Sequence, residues 1–377
     1  MKFGRSILDR WHLDPEIAFL NHGSFGACPK VVLATQSAFR QQMETTPVRF
    51  LDPRHRPLQA PLDRMASFLE CDAEGLAFVD NATTAVNAVV RSHRFEPGDA
   101  IVTLSHAYGA VANTLRWVCR ERQLRLIEVP VPFPIADAEL VLSALRPALA
   151  QSGVKLAVLD HITSATGLVM PIEEMVGLCG EAGVPVLVDG AHVPGHMPLS
   201  LDRIGADWYV GNLHKWLFAP KGSAVLYTRA DHRATTHPTV ISWGLDAGYR
   251  TEFDWQGTRD ITNWLSCPSA VDFFEQLGPT AVWSHNHGLA DAMGTMLADA
   301  WGTPRPAPRS MCRSLVTLQP PIDLPPTREA ADALNDRLYA EHGVEVPCFP
   351  FGDRVWLRIS AQVYNAVEDY ERLAAAF

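Results

Sequence analysis

From about residue 56 onward, helix-length amphipathic stretches alternate with short and almost wholly apolar runs. The runs are "GLAFVD", "AIVTL", "LRLIEVPV", "VKLAVLD", "VPVLVD", "DWYVG" and "SAVLYT". A strand with one wet face alternates apolar and polar residues, so runs without alternation predict strands covered on both faces. Helical stretches such as 137–149 and 172–182 separate them, and the pattern predicts an α/β architecture built on a large, mostly parallel, seven-stranded sheet. Beyond residue 256 the texture changes. Long helical stretches at 268–302, 328–342 and 365–376 surround three strand-like runs near 312–319, 344–349 and 353–360. This predicts a smaller C-terminal α+β domain over 256–377, after an N-terminal segment and large domain over 1–255. The proline-rich stretches 302–310 and 319–326 predict rigid loops within it.

Composition narrows the function classes. The net charge is -10, from 32 basic and 42 acidic residues, and no basic run offers a footprint for a phosphate backbone, so nucleic acid is excluded as a partner. No stretch approaches the roughly 18 apolar residues of a membrane helix, and "MKFGRSILDRWHLDPEIAF" lacks a signal-peptide core. A cytoplasmic protein without a membrane partner is expected. Seven cysteines, odd in number and nowhere C-x-x-C, suggest neither a disulfide framework nor a zinc site.

The candidate chemistry lies at strand ends, because ligands of parallel sheets bind beyond the carboxyl ends of the strands. In "GNLHKWLFAPKG", Lys215 is followed by Trp216, Leu217 and Phe218. A lysine in such company is part buried, and burial lowers its pKa toward that of a neutral, nucleophilic amine. Asp189 ends the run "VPVLVD", where it serves either as a turn cap or as a carboxylate facing the crevice. Only "DWYVG" separates it from the lysine, so both side chains can reach one crevice. A carbonyl-condensing amine and a carboxylate for a pyridine nitrogen are the minimal needs of pyridoxal 5'-phosphate. In "FVDNATTAVN" a strand ends at Val79 and a helix starts near Thr83, so the amides of Ala82 and Thr83 can hold a phosphate, although Asn and Thr cap many helices that bind nothing. His192 and His196 have metal-pair spacing, but Pro194 and Gly195 break the helix between them and no carboxylate completes the motif.

The order "FLNHGSFG", "NATTAVN", "SHAYGAV", "HITSATG", "VDGAH", "GNLHKW", "GTRDITNW" and "RISAQVYN" resembles the fold-type I pyridoxal phosphate enzymes of aminotransferase class V, most of all the isopenicillin N epimerase-like branch. The resemblance spans about residues 18–368. It implies that Lys215 holds the cofactor as a Schiff base, that Asp189 pairs with the pyridine nitrogen, and that His214 and Thr83 contact the phosphate. It places the Tyr108 ring on the cofactor, where histidine is commoner in the class, and His192 and Ser164 near the 3-oxygen. Thr258 would reach the phosphate of a partner subunit, which requires a homodimer with shared sites. Arg358 would clamp a substrate α-carboxylate, and Asn21, His22 and Gly23 would line the substrate side. Tyr108 also reads as a core aromatic and Arg358 as an ion-pair residue.

The implied reaction begins with removal of an α-proton from an amino acid or amino-acid-like substrate. Epimerase-like chemistry is the first reading; carbon–sulfur lyase, cysteine desulfurase and aminotransferase chemistry are the alternatives. A desulfurase needs a mobile cysteine ahead of the arginine, and Cys348 is the only nearby candidate, in a segment patterned as a strand. A silent cofactor-binding protein is the non-enzyme alternative. Trp243, Tyr249, Arg250 and Trp255 are further candidates for shaping the pocket.

Overall fold

The computed structural model describes residues 2–55 and 57–377. Its strands are β1 (Ala18–Phe19), β2 (Leu76–Val79), β3 (Ala100–Leu104), β4 (Arg125–Val129), β5 (Val154–Asp160), β6 (Val186–Asp189), β7 (Trp208–Asn212), β8 (Ala224–Thr228), β9 (Leu315–Leu318), β10 (Val344–Glu345), β11 (Cys348–Phe351) and β12 (Arg354–Ser360). The seven predicted runs form one sheet in the order β2-β8-β7-β6-β5-β3-β4. β3 through β7 pair in parallel, whereas β8 runs antiparallel to both of its neighbours. The reversal has a simple origin: β8 returns directly from β7 through the loop that carries Lys215, with no crossover helix between them.

The absence of alternation in the runs follows from two-sided burial. Phe78, Val102, Leu159 and Val188 pack into one core on one face of the sheet. Val79, Ile101, Val158 and Leu187 pack into a second core on the other. The edge strand β4 departs from this, with Arg125 and Glu128 exposed, charges that discourage a further strand from pairing there.

The connections from β3 and β5 leave in opposite directions, to β4 on one side and to β6 on the other, which opens a crevice at the carboxyl ends. The C-terminal strands form an antiparallel sheet, β11-β12-β9, over a core that includes Leu318, Leu334, Leu357 and Ile359. The run predicted at 344–349 divides, since Val344–Glu345 pairs in parallel with β1 near the N-terminus. The stretch 268–302 is two helices, Cys267–Leu277 and Pro279–Trp301, broken at Gly278 with φ 85° and restarted by Pro279. Among the described residues no helix is long and apolar enough to cross a membrane.

The segment "NHGSFG" lies against the backbone of the lysine loop. Gly26 has φ 68° and ψ 171°, a conformation reserved for glycine. A Cβ there would stand 2.2 Å from the His214 carbonyl oxygen and 2.7 Å from that of Lys215. Both obstacles are backbone and cannot swing aside. Gly26→Ala should therefore lower the unfolding free energy by about 3 kcal/mol, read as a fall in the urea midpoint; an unchanged midpoint would show that the segment is free to move.

Candidate active site

Three neighbouring strands deliver the central groups. Asp160 and Asp189 end β5 and β6 and are partners in register, and Lys215 follows the end of β7 by three residues. All three line a cavity of about 700 Å³ at the carboxyl edge of the sheet. Burial, then the Arg358 charge, pull the Lys215 ammonium down to about 7, with Asp189 opposing. Lys215 Nζ lies 3.2 Å from His192 Nε2. Burial raises the Asp189 carboxyl, against the Ala191 amide, which donates to it at 3.0 Å, and the charge of Lys215. Asp160 is raised further, by burial and then by the charge of Asp189, with the Tyr108 amide opposing. Sequence reasoning passed over Asp160, although it closes "VKLAVLD" just as Asp189 closes "VPVLVD".

Part of the cavity lining comes from a helix N-terminus. Asn81 caps the helix Ala82–Ser92 through the Thr84 amide, and the Ala82 amide donates to Asn212 Oδ1 at 2.9 Å, a partner the sequence did not reveal. This leaves the Thr83 amide as a first-turn donor without a partner among the described residues, and both Ala82 and Thr83 line the cavity. His214 Nδ1 donates to the Ser223 carbonyl at 2.9 Å, and burial pulls the imidazole down to about 4. Lys221, the second lysine of the same loop, lines the cavity as well and donates to the Gly26 carbonyl at 3.0 Å.

Tyr108 stands at the cavity wall with 47% of its surface exposed, so it is no core aromatic. Ser164 and His192 line the cavity as well. Arg358, on β12, lies one layer behind this wall. Its Nη1 donates to the Ser164 carbonyl and its Nη2 lies 3.5 Å from Ser24 Oγ. The guanidinium is 5% exposed, its Nε has no partner, and no carboxylate pairs with it among the described residues. Burial pulls it down to about 10.

Other expected residues lie outside the cavity wall. His22 is fully buried behind the lysine, with Nε2 3.0 Å from the Lys215 carbonyl and Nδ1 2.6 Å from the Tyr364 hydroxyl, and burial pulls it down to about 3. Gly23 packs beside Arg358, and Asn21 Oδ1 accepts from Ser24 Oγ at 2.5 Å. Thr258 is exposed and outside the cavity of its own chain. Trp243, Tyr249, Arg250 and Trp255 do not line it either, and Trp243 is 93% exposed.

The family model for aminotransferase class-V matches residues 28–373. The chain belongs to the aminotransferase class-V family. A putative L-cysteine desulfhydrase of Oryza sativa subsp. japonica is 36% identical, over 97% of this chain and 83% of that protein. The isopenicillin N epimerase of Streptomyces clavuligerus is 33% identical, over 97% of this chain and 96% of its own. Among solved structures, a mutant of the C-S lyase C-DES with glycine covalently linked to its PLP cofactor superposes with a TM-score of 0.84 at 19% identity, covering 98% of each chain, which shows the shared fold-type I architecture.

A class-V chain that buries Asp160 beside Asp189 carries a stability cost that depends on pH. A carboxyl whose folded pKa is raised contributes stability at low pH and loses it as pH rises through the folded value. Asp160→Asn, permanently neutral, should therefore raise the melting temperature of the cofactor-free protein at pH 8, with a gap that narrows toward pH 4. A melting temperature equal to the parent's at pH 8 would contradict the burial cost assigned to Asp160.

Proposed function

We propose that this protein binds pyridoxal 5'-phosphate and removes the α-proton of an amino acid, with loss of a β-sulfur substituent as its outcome. The observation that carries the reading is Arg358. A buried guanidinium without a carboxylate is costly, and the cost falls when a ligand brings its own anion. Its hydrogen-bond partners Ser164 and Ser24 line the cavity that holds Lys215, and a substrate α-carboxylate is the anion that suits a two-pronged donor.

The donor set fits the cofactor. Lys215 supplies an amine whose burial favours the neutral form near neutral pH. Asp189 would face the ring nitrogen and Tyr108 a ring face, with His192 and Ser164 toward the 3-oxygen. Beside the helix N-terminus the unpartnered Thr83 amide would hold the phosphate, since the Ala82 amide is taken by Asn212 and the neutral His214 ring donates its proton to the Ser223 carbonyl. Bound there, the cofactor supplies an electron sink for charge at the α-carbon. The chain supplies the rest: Arg358 orients the carboxylate, and Lys215 Nζ accepts the α-proton, with His192 Nε2 at 3.2 Å.

Two observations favour elimination. A desulfhydrase stands among the relatives at 36% identity, and elimination needs no cysteine nucleophile. Cys348 is buried in β11, and burial pushes its thiol up to about 12, so it is poorly suited to sulfur transfer. Epimerisation is the second reading, favoured by the match over 96% of the S. clavuligerus enzyme.

A homodimer is part of this proposal. Thr258 is exposed and away from its own cavity, a placement that suits service to the phosphate site of a second copy. The seven cysteines are all free thiols, which suits a cytoplasmic location.

With purified holoenzyme and L-cysteine, sulfide and pyruvate should form in equal amounts. Exchange and inversion at the α-carbon in deuterated water without sulfide would select epimerisation instead. Arg358→Met should lower kcat/KM by at least about 100-fold, a loss of roughly 2.7 kcal/mol of transition-state stabilisation, while cofactor absorbance is retained; unchanged kcat/KM would remove the carboxylate clamp. Lys215→Ala and Thr258→Glu should each be inactive alone and regain activity when mixed as heterodimers, and confirmed heterodimers without activity would refute the shared site.

A further inference from the structure

Next to the lysine stands a tryptophan whose indole meets the histidine that meets the lysine amine. Trp216 Nε1 donates to His192 Nδ1 at 3.4 Å, and His192 Nε2 lies 3.2 Å from Lys215 Nζ. An indole N–H can only donate, and a neutral imidazole has one donor nitrogen and one acceptor. With Nδ1 occupied as the acceptor, the His192 proton must sit on Nε2. That N–H points at Lys215 Nζ, which can accept it only as a neutral amine, since an ammonium has no lone pair. The alternative arrangement, an ammonium donating to Nε2, would put the His192 proton on Nδ1, against the indole N–H.

We propose that Trp216 is a positioning residue that selects the Nε2–H tautomer of His192 and thereby holds Lys215 in its amine form. The lysine's role in this rests on the reading of Lys215 as the cofactor-binding residue; the tautomer does not.

The indole is itself held in place. The His196 ring stacks on it at 4.0 Å with an interplanar angle of 22°, and the His22 ring lies 5.0 Å away. His196 accepts from the Ser314 amide at Nε2 (3.0 Å) and so donates from Nδ1 to the His192 carbonyl (2.9 Å). Trp216 is 1% exposed, so no water competes for its N–H. Burial, first of all, holds His192 well below its ordinary value, so the ring is neutral and the tautomer argument applies. The other titratable groups around Lys215 are Asp189 and Asp160 from the strand ends, Tyr108 after β3, His214 and Lys221 on its own loop, Arg358 from β12, and His22 against its carbonyl. None of these accepts the indole N–H, whose hydrogen bond goes to His192 Nδ1.

The test uses the full-length protein, first unmutated. Nitrogen-15 NMR of the cofactor-free protein at pH 8 should show His192 protonated at Nε2 and bare at Nδ1; the opposite tautomer overturns the proposal and leaves the assignment of Lys215 untouched. The second measurement is the rate of pyridoxal phosphate association against pH, which requires the neutral amine. Trp216→Phe, which keeps an aromatic side chain, smaller than the indole, and loses the N–H, should move the midpoint up by about one unit, slowing association about fivefold at pH 7. In a His192→Gln background the same substitution should move it no further, because the tautomer it acts through is gone. An equal shift in both backgrounds would reduce Trp216 to a packing residue, and an unchanged midpoint in the single variant would overturn the proposal. If association proved not to depend on Lys215 at all, by Lys215→Ala, the functional reading would fail while the NMR result stood.

Discussion

Burying a cation without a carboxylate hydrogen-bonded to it is costly, and among the described residues this fold does so twice around one cavity, at Lys215 and at Arg358. The two costs are met in different ways. Lys215 can shed its proton, and its surroundings favour that: burial, the charge of Arg358, and a histidine that presents a donor. Arg358 keeps its charge near neutral pH even after burial has pulled it to about 10, and it takes a carbonyl and a hydroxyl where a carboxylate would ordinarily stand. One buried cation becomes a nucleophile and the other becomes a receptor. The nearby carboxylates feel the same dryness, and Asp160 and Asp189 rise, with the charge of Lys215 holding Asp189 back.

The positions of the strands were legible because two-sided burial leaves an unmistakable mark on composition. "AIVTL" and "VKLAVLD" match β3 and β5 residue for residue. Their arrangement was legible only in outline, since an apolar run does not record its neighbour or direction, and the antiparallel course of β8 emerges from a loop rather than from a pattern. The Lys215 and Asp189 placement was legible because both follow such runs. Asp160 escaped for the same reason that it matters: its effect depends on register with Asp189, a property of the assembled sheet. The Ala82 amide escaped likewise, being taken by Asn212, far along the chain.

His22 illustrates a different limit. From the sequence it reads as a cavity residue, because the resemblance places its segment on the substrate side. In the fold it holds the Lys215 carbonyl on one side and the Tyr364 hydroxyl on the other. A ring nitrogen satisfied by a backbone oxygen serves geometry, and sequence pattern does not distinguish that from contact with a ligand.

The clamp formed by His22 and Tyr364 joins residues 342 positions apart, and β1 pairs with β10 across a similar span. During synthesis the large sheet and its lysine loop leave the ribosome well before Tyr364 does. The lysine loop therefore emerges before the hydroxyl that holds His22 against it, and its surroundings are completed only when the segment around Tyr364 arrives. Chemistry at the amine is thereby tied to segments that flank the large sheet on both sides in sequence, since the stretches around His22 and Tyr364 close the same site.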